Sequence, residues 1–320
     1  MEWKLGDAQQ VKKIVWSLDA FEQGQILEQR VEEALLAIVR GSTSTRVTPV
    51  YVLSPDQLNL GAETALPWIE QYRPAAEAAV KDIVRKFNCP GLLKPKVLTQ
   101  DVGSTSAAVT SLAEYAVEIG ADLILVGTHG RQGMHRFFLG SFAERLLLHS
   151  KVPVLVVNPK SKVSRFDQIL FPTDLSRASR TLFRRVVVLA CELKAKLTVY
   201  HVVQNPIDPV LKSGVYLMGG GWIPASDYLE EELSRRKKSA EHWVKIARKM
   251  GVEVEVVLET SRETVATSIV RQVERRKINL VAIAAQSGPL ASAVIGSVTR
   301  HLVREAPCPV WVLHTRRASK

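Results

Sequence analysis

Two close glycines, a spacer and a Gly-Ser pair form the segment of this chain with the clearest chemical potential: Gly127-Thr-His-Gly130, nine intervening residues, then Gly140-Ser141. Glycine has no Cβ, so Gly127 and Gly130 are expected to let the loop turn tightly and approach a bound group closely. The segment follows the apolar run Asp122-Leu-Ile-Leu-Val126, which reads as a buried parallel strand. Open α/β sheets bind ligands at the carboxyl ends of such strands. Gly140 and Ser141 then open the helical pattern Phe142-Ala-Glu-Arg-Leu-Leu-Leu148, whose first free amides and positive dipole end favour an anion. Phosphate is the anion this chemistry suits. Taken alone, the glycine pair also fits an ordinary strand exit.

The elements that would position these residues alternate between apolar runs and amphipathic stretches, the pattern of a parallel, doubly wound sheet. Strands are expected near 12–18, 46–53, 95–100, 122–127 and 153–158, with a helix over 25–40 on Ile26, Val31, Leu35 and Ile38 and another over 104–119 capped by Ser104. The order then repeats, with strands near 167–171, 196–203, 252–259, 279–284 and 309–314. Asp19 and Asp174 are 155 residues apart and Gly140 and Gly296 are 156 apart, so the chain reads as a tandem duplication. A solenoid would have a far shorter period. A short stretch near Asn158–Arg165, rich in Lys and Ser, links the copies, which are therefore expected to pack closely.

The G-x-x-G, nine residues, G-S spacing resembles the ATP-binding signature of the universal stress protein family. The helix end and strand Leu147-Leu-His-Ser-Lys-Val-Pro-Val-Leu-Val-Val157 is similar to the same family, as are the acid-terminated strands Val11-Lys-Lys-Ile-Val-Trp-Ser-Leu-Asp19 and Gln168-Ile-Leu-Phe-Pro-Thr-Asp-Leu-Ser176. The resemblance covers nearly the whole chain. It implies an α/β fold of two tandem Rossmann-like (adenine nucleotide alpha hydrolase-like) domains, each a five-stranded parallel sheet with helices on both faces. Residues 1–158 would carry the intact nucleotide motif and residues 166–316 a degenerate one.

Carried over residue by residue, the resemblance puts Asp19 on an adenine with the backbone of Val52 nearby. Gly127 and Gly130 then lie along ribose and phosphates, and Gly140 and Ser141 on the terminal phosphates, with His129 and Arg131 reaching the phosphates as well. Phe142 stands where the family has a smaller residue and would crowd the phosphate end. A strand-end or helix-capping role is the alternative for Asp19. The implied function is ATP binding, with or without Mg2+, by a stress-response sensor or regulator that hydrolyses slowly if at all. The alternative is a scaffold that has kept the fold and lost the nucleotide. In the second copy Ala284, Ala285, Gln286 and Ser287 replace the glycine loop, although Asp174 remains, so a different adenine-bearing ligand stays open there.

Other chemistries find little support. Nucleophile-elbow, H-E-x-x-H and Walker A patterns are missing, the histidines are scattered, and His201 within an apolar strand reads as a core residue. Cys89, Cys191 and Cys308 are far apart and read as buried or incidental thiols. Residues 1–160 hold 17 Lys plus Arg against 17 Asp plus Glu, and residues 161–320 hold 26 against 15, which accounts for the whole net charge of +11. The basic clusters of that half fall on helices: Glu230–Lys238 reads as a solvated helix with Glu231–Arg235 and Glu232–Arg236 at i,i+4 spacing, and Arg271 and Arg275-Arg-Lys277 sit near another helix end, so nucleic acid is not the expected partner. No apolar run reaches the length of a membrane span, and the first residues lack a signal-peptide pattern, so a cytoplasmic location is expected. The closing strands Pro153–Val157 and Pro309–Leu313 would leave apolar edges. The family pairs domains through this strand, which implies an internal pseudo-dimer, with a further homodimer left open. The connection 204–225 is long enough to be a lid, a partner contact or a tolerated insertion.

Overall fold

The apolar runs form strands and the amphipathic stretches between them form helices in the computed structural model, which describes residues 11–19, 24–40, 44–55, 66–128, 139–204, 215–216, 222–223, 225–285 and 295–314. The first half contains β1 (Lys13–Ser17), α1 (Gln25–Val39), β2 (Arg46–Leu53), α2 (Leu66–Arg85), β3 (Lys96–Thr99), α3 (Thr105–Glu118), β4 (Leu123–Gly127), α4 (Ser141–His149) and β5 (Val154–Val157). The second contains β6 (Gln168–Pro172), α5 (Arg177–Leu193), β7 (Lys196–Gln204), β8 (Val215–Tyr216), β9 (Trp222–Ile223), α6 (Ala225–Lys249), β10 (Val254–Ser261), α7 (Val265–Arg275), β11 (Leu280–Ala284), α8 (Ser297–Glu305) and β12 (Val310–Leu313). The long connection after β7 therefore carries an antiparallel hairpin, β8 with β9.

Each half is a parallel sheet, in the orders β3-β2-β1-β4-β5 and β10-β7-β6-β11-β12, and the halves join into one ten-stranded sheet. The seam is the antiparallel pair β5–β12, with Val154 opposite Val312, Leu155 opposite Trp311 and Val156 opposite Val310. At the 156-residue offset Val154 matches Val310 and Val156 matches Val312, so this register is self-complementary about Leu155–Trp311. Two apolar clusters, one on each face, run across both halves. One takes Trp16, Leu125 and Leu155 with Phe171, Leu197 and Trp311. The other takes Val15, Ile124 and Val154 with Leu170, Val281 and Val312, as the alternation of side chains along a strand requires.

Local signals explain the element ends. The Ser104 side chain accepts from the Ala107 amide and caps α3 as expected. In α1 the buried stripe includes Val31, Leu35 and Ile38, but Ile26 is 61% exposed and Leu27 packs inward in its place. In α6, Arg235 and Arg236 both converge on Glu232, so the expected Glu231–Arg235 pair gives way to an i,i+3 pair beside the i,i+4 one. The link between halves is docked: the buried Asn158 side chain donates to the carbonyls of Val303 (3.3 Å) and Ala306 (3.0 Å), and the Lys162 amide to that of Pro307 (3.1 Å). Among the described residues, no helix is long and apolar enough to cross a membrane.

Candidate functional site

Strand order reverses between β1 and β4, and at such a switch point the connections leave on opposite faces and open a crevice beyond the strands' carboxyl ends. A cleft of about 100 Å³ lies there in the first half. Its walls include Trp16 to Asp19 from the end of β1, Val52 from β2, Val126 and Gly127 from β4, and Phe142 from α4. Gly24, Leu27, Glu28 and Val31 from the start of α1, with Ile83 of α2, close it. Trp16 is braced by Phe87, ring centroids 4.5 Å apart. Burial pushes the Tyr51 phenol well above its ordinary value, and the Asp19 carboxylate adds to that, so Tyr51 stays a neutral hydroxyl beneath the site.

Four of the residues expected from the sequence, Asp19, Val52, Gly127 and Phe142, thus meet in one cleft. Gly140 and Ser141 stand immediately before Phe142, with Gly140 as the N-cap of α4 and no side-chain cap on its amides. His129, Gly130 and Arg131 lie outside the described residues. The helix-capping alternative for Asp19 does not hold, because α1 starts on Gly24. Leu27, Glu28 and Ile83 were not anticipated; the Leu27–Val31 spacing on α1 was the available signal for the first of them.

Gly127 needs correction in its reason. It is the last residue of β4, paired with Val157, and is not among the positive-φ glycines Gly91, Gly120 and Gly251. What its missing Cβ permits is the close approach of Leu27, whose Cδ2 would lie 3.0 Å from a Cβ placed there. For the same reason Ala284, its counterpart at the end of β11, is not excluded by backbone conformation.

The second half treats the equivalent place differently. Asp174 Oδ1 accepts from the Ser176 amide (3.0 Å) and from Ser179 Oγ (2.5 Å), in the turn where Ser176 caps α5. Burial raises this carboxyl, but the hydrogen bonds from Ser179 and Ser176 outweigh it and hold it below the ordinary carboxylate value. Arg236, reaching down from α6, donates to the Asp174 carbonyl (2.7 Å) and pairs with Glu232. Trp16 corresponds to Phe171 at the Asp offset of 155, and Val31 to Phe183 when the two helices are matched from their N-caps Gly24 and Ser176; Phe171 and Phe183 pack with Trp243 of α6, Phe183 to Trp243 at 4.8 Å. His201 sits where β2 has Tyr51. Burial lowers its pKa, and its Nδ1 is 2.7 Å from the Thr173 carbonyl, so it is a neutral donor satisfied by the backbone. Where the first half has an open cleft, the second has aromatic rings and a capped aspartate.

The seam adds polar contacts between the halves. Arg300 Nη2 of α8 lies 2.9 Å from Glu144 Oε1 of α4. His314 Nε2 donates to the Leu147 carbonyl (2.8 Å), the counterpart of the Asn158 contact with Val303, and burial holds that imidazole neutral by lowering its pKa.

The model of the universal stress protein family matches this chain twice, over residues 11–158 and 165–314. A crystal structure of a universal stress protein from Archaeoglobus fulgidus is similar over 95% of this chain and 97% of its own, with 16% identity and a TM-score of 0.58. Among curated sequences, a universal stress protein of Methanocaldococcus jannaschii is 45% identical over 51 residues, 16% of this chain and 30% of that protein. A putative universal stress protein of Staphylococcus aureus is 32% identical over 103 residues, 32% of this chain and 52% of that protein. The matches thus span about half or less of those relatives.

Proposed function

Because the chain belongs to the universal stress protein family, we propose that it binds an adenine nucleotide in the cleft of its first half and acts as a sensor or regulator in a cytoplasmic stress response. The observation that carries this reading is the convergence of Asp19, Val52, Gly127 and Phe142 at the switch point, beside the uncapped start of α4. A carboxylate accepts hydrogen bonds only, so Asp19 suits the amino group of adenine, while Trp16, Leu27 and Val31 offer apolar walls to the ring. The free amides of Gly140 and Ser141 suit phosphate. His129, Gly130 and Arg131 are assigned to the phosphates on the sequence pattern alone. Among the described residues, no group of three or more His, Cys, Asp or Glu could hold a metal ion. The role is binding rather than turnover, since Asp19 at the adenine end cannot position a hydrolytic water. In the second half Asp174 is committed to its cap, and residues 166–316 serve as the non-binding partner.

One observation favours the scaffold reading instead. A volume of about 100 Å³ falls below the ~300–1,000 Å³ of ordinary ligand sites, so a nucleotide requires Leu27 or Phe142 to move. Calorimetry with ATP and Mg2+ on the intact chain decides between them. The nucleotide reading expects micromolar binding at one site, weakened roughly 10–100-fold by Asp19→Ala and unchanged in Asp174→Ala. An absence of binding to the wild type selects the scaffold.

A further inference from the structure

We propose that Arg300, on α8 of the second half, is the positive partner of the terminal phosphates at the start of α4 in the first half, so that the second domain completes the site of the first. This rests on the nucleotide reading above. Glu144 is four residues beyond the N-cap Gly140, and its amide donates to the Gly140 carbonyl (3.0 Å). At the rise of an α-helix that places it about 6 Å along the axis from the uncapped amides. An acid in the first turn suits the helix dipole, but it repels an anion docking on the same turn. Arg300 answers that charge from across the seam, with its guanidinium 2.9 Å from the Glu144 carboxylate.

The offset makes the pair informative. Position 144 plus 156 is 300, so Glu144 and Arg300 are the same position in the two copies, and the pseudo-twofold axis brings that position opposite itself. Two identical domains paired this way would set Glu against Glu. The second copy instead presents an arginine to the first copy's helix α4. Both side chains are part-exposed, 44% for Arg300 and 34% for Glu144, so the pair is loosely held. A guanidinium has five N–H donors in a planar fork, more than one carboxylate uses, and it matches phosphate oxygens two at a time. Arg300 can therefore serve a polyphosphate while still facing Glu144. A monophosphate, ending nearer the ribose, makes less use of it. By linkage, a triphosphate held from both halves also tightens the halves on each other.

The test titrates ATP and AMP into the full chain as wild type, Arg300→Gln, Glu144→Gln and the double variant. Arg300→Gln is expected to weaken ATP about tenfold and to leave AMP within about twofold, with thermal stability nearly unchanged because the pair is exposed. Glu144→Gln is expected to tighten ATP, since it removes a repelling charge and leaves Arg300 to the phosphates. ATP affinity unchanged in Arg300→Gln, or ATP and AMP weakened alike, overturns the role of Arg300 while leaving the nucleotide site standing. Failure of both nucleotides to bind the wild type removes the nucleotide reading itself, and this role with it.

Discussion

The two clefts start from the same strand, the same aspartate and the same switch point, and end in opposite states. Asp19 lines an opening walled by Trp16, Leu27 and Glu28, whereas Asp174 is turned into the cap of α5 under Arg236. Two changes account for most of the difference. Phe183 in the place of Val31 supplies a ring that packs on Phe171 and Trp243, and Ser179 in the place of Leu27 supplies a hydroxyl that claims the Asp174 carboxylate. The lesson is that the same acid at the end of the same strand can take two roles, because a helix cap can use the carboxylate that elsewhere lines a cleft. Both halves nevertheless keep the same strand order.

That contrast can be broken at several points. The largest effect is expected at the seam, where Val156 is 1% exposed opposite Val310. Val156→Lys buries a charge there and should cost about 5 kcal/mol or more, a large part of a domain's stability. Because both core clusters cross the seam, calorimetry should show both halves losing stability together. Melting of one half alone would mean the clefts are independent. Next is the aromatic cluster of the second half: Phe183→Ala should destabilise by about 3–5 kcal/mol in denaturant unfolding, while Glu28→Ala, in the wall of the first cleft, should stay within about 0.5 kcal/mol. Similar costs at both positions would mean the second cleft is no more tightly packed than the first.

The smallest effect concerns Glu192 of α5, which meets the start of β1. Burial raises its carboxyl from 4.5 to about 7, with Asp122 adding to the rise against the Val11 amide and Lys12. A carboxyl raised in the fold contributes stability that is present below pH 4.5 and lost as pH climbs to about 7. Glu192→Gln should flatten that decline and raise the melting temperature at pH 8 by about 1–2 °C. An unchanged slope between pH 4.5 and 7 would show that this contact does not titrate with the fold.

Strand positions, the duplication and the first cleft were legible because each strand is an apolar run bounded by turn residues, and because Asp19 and Gly127 stand at strand ends. The helix stripe was misjudged by one residue, since Ile26 and Leu27 are both apolar and adjacent and only packing chooses between them. The packing of Leu27 against Gly127 was illegible, because that neighbour is 100 residues away in sequence. The Phe183–Trp243 and Arg236–Asp174 contacts of the second half were illegible for the same cause, as Trp243 and Arg236 come from a helix about 60 residues beyond Asp174. The Glu144–Arg300 contact required knowing that the axis crosses that position.

The docked link at Asn158 has a consequence for mass action. Two separate domains meeting through β5 and β12 would associate to an extent set by their concentration, and dilution would part them. Here the halves are joined by a stretch of about ten residues whose first member is already hydrogen-bonded to the other half. Closing the seam is then intramolecular, at an effective concentration that can reach the millimolar range for short linkers. The assembly that keeps Arg300 beside α4 is therefore the same at low abundance as at high, and the shape of the open cleft does not depend on how much protein is present.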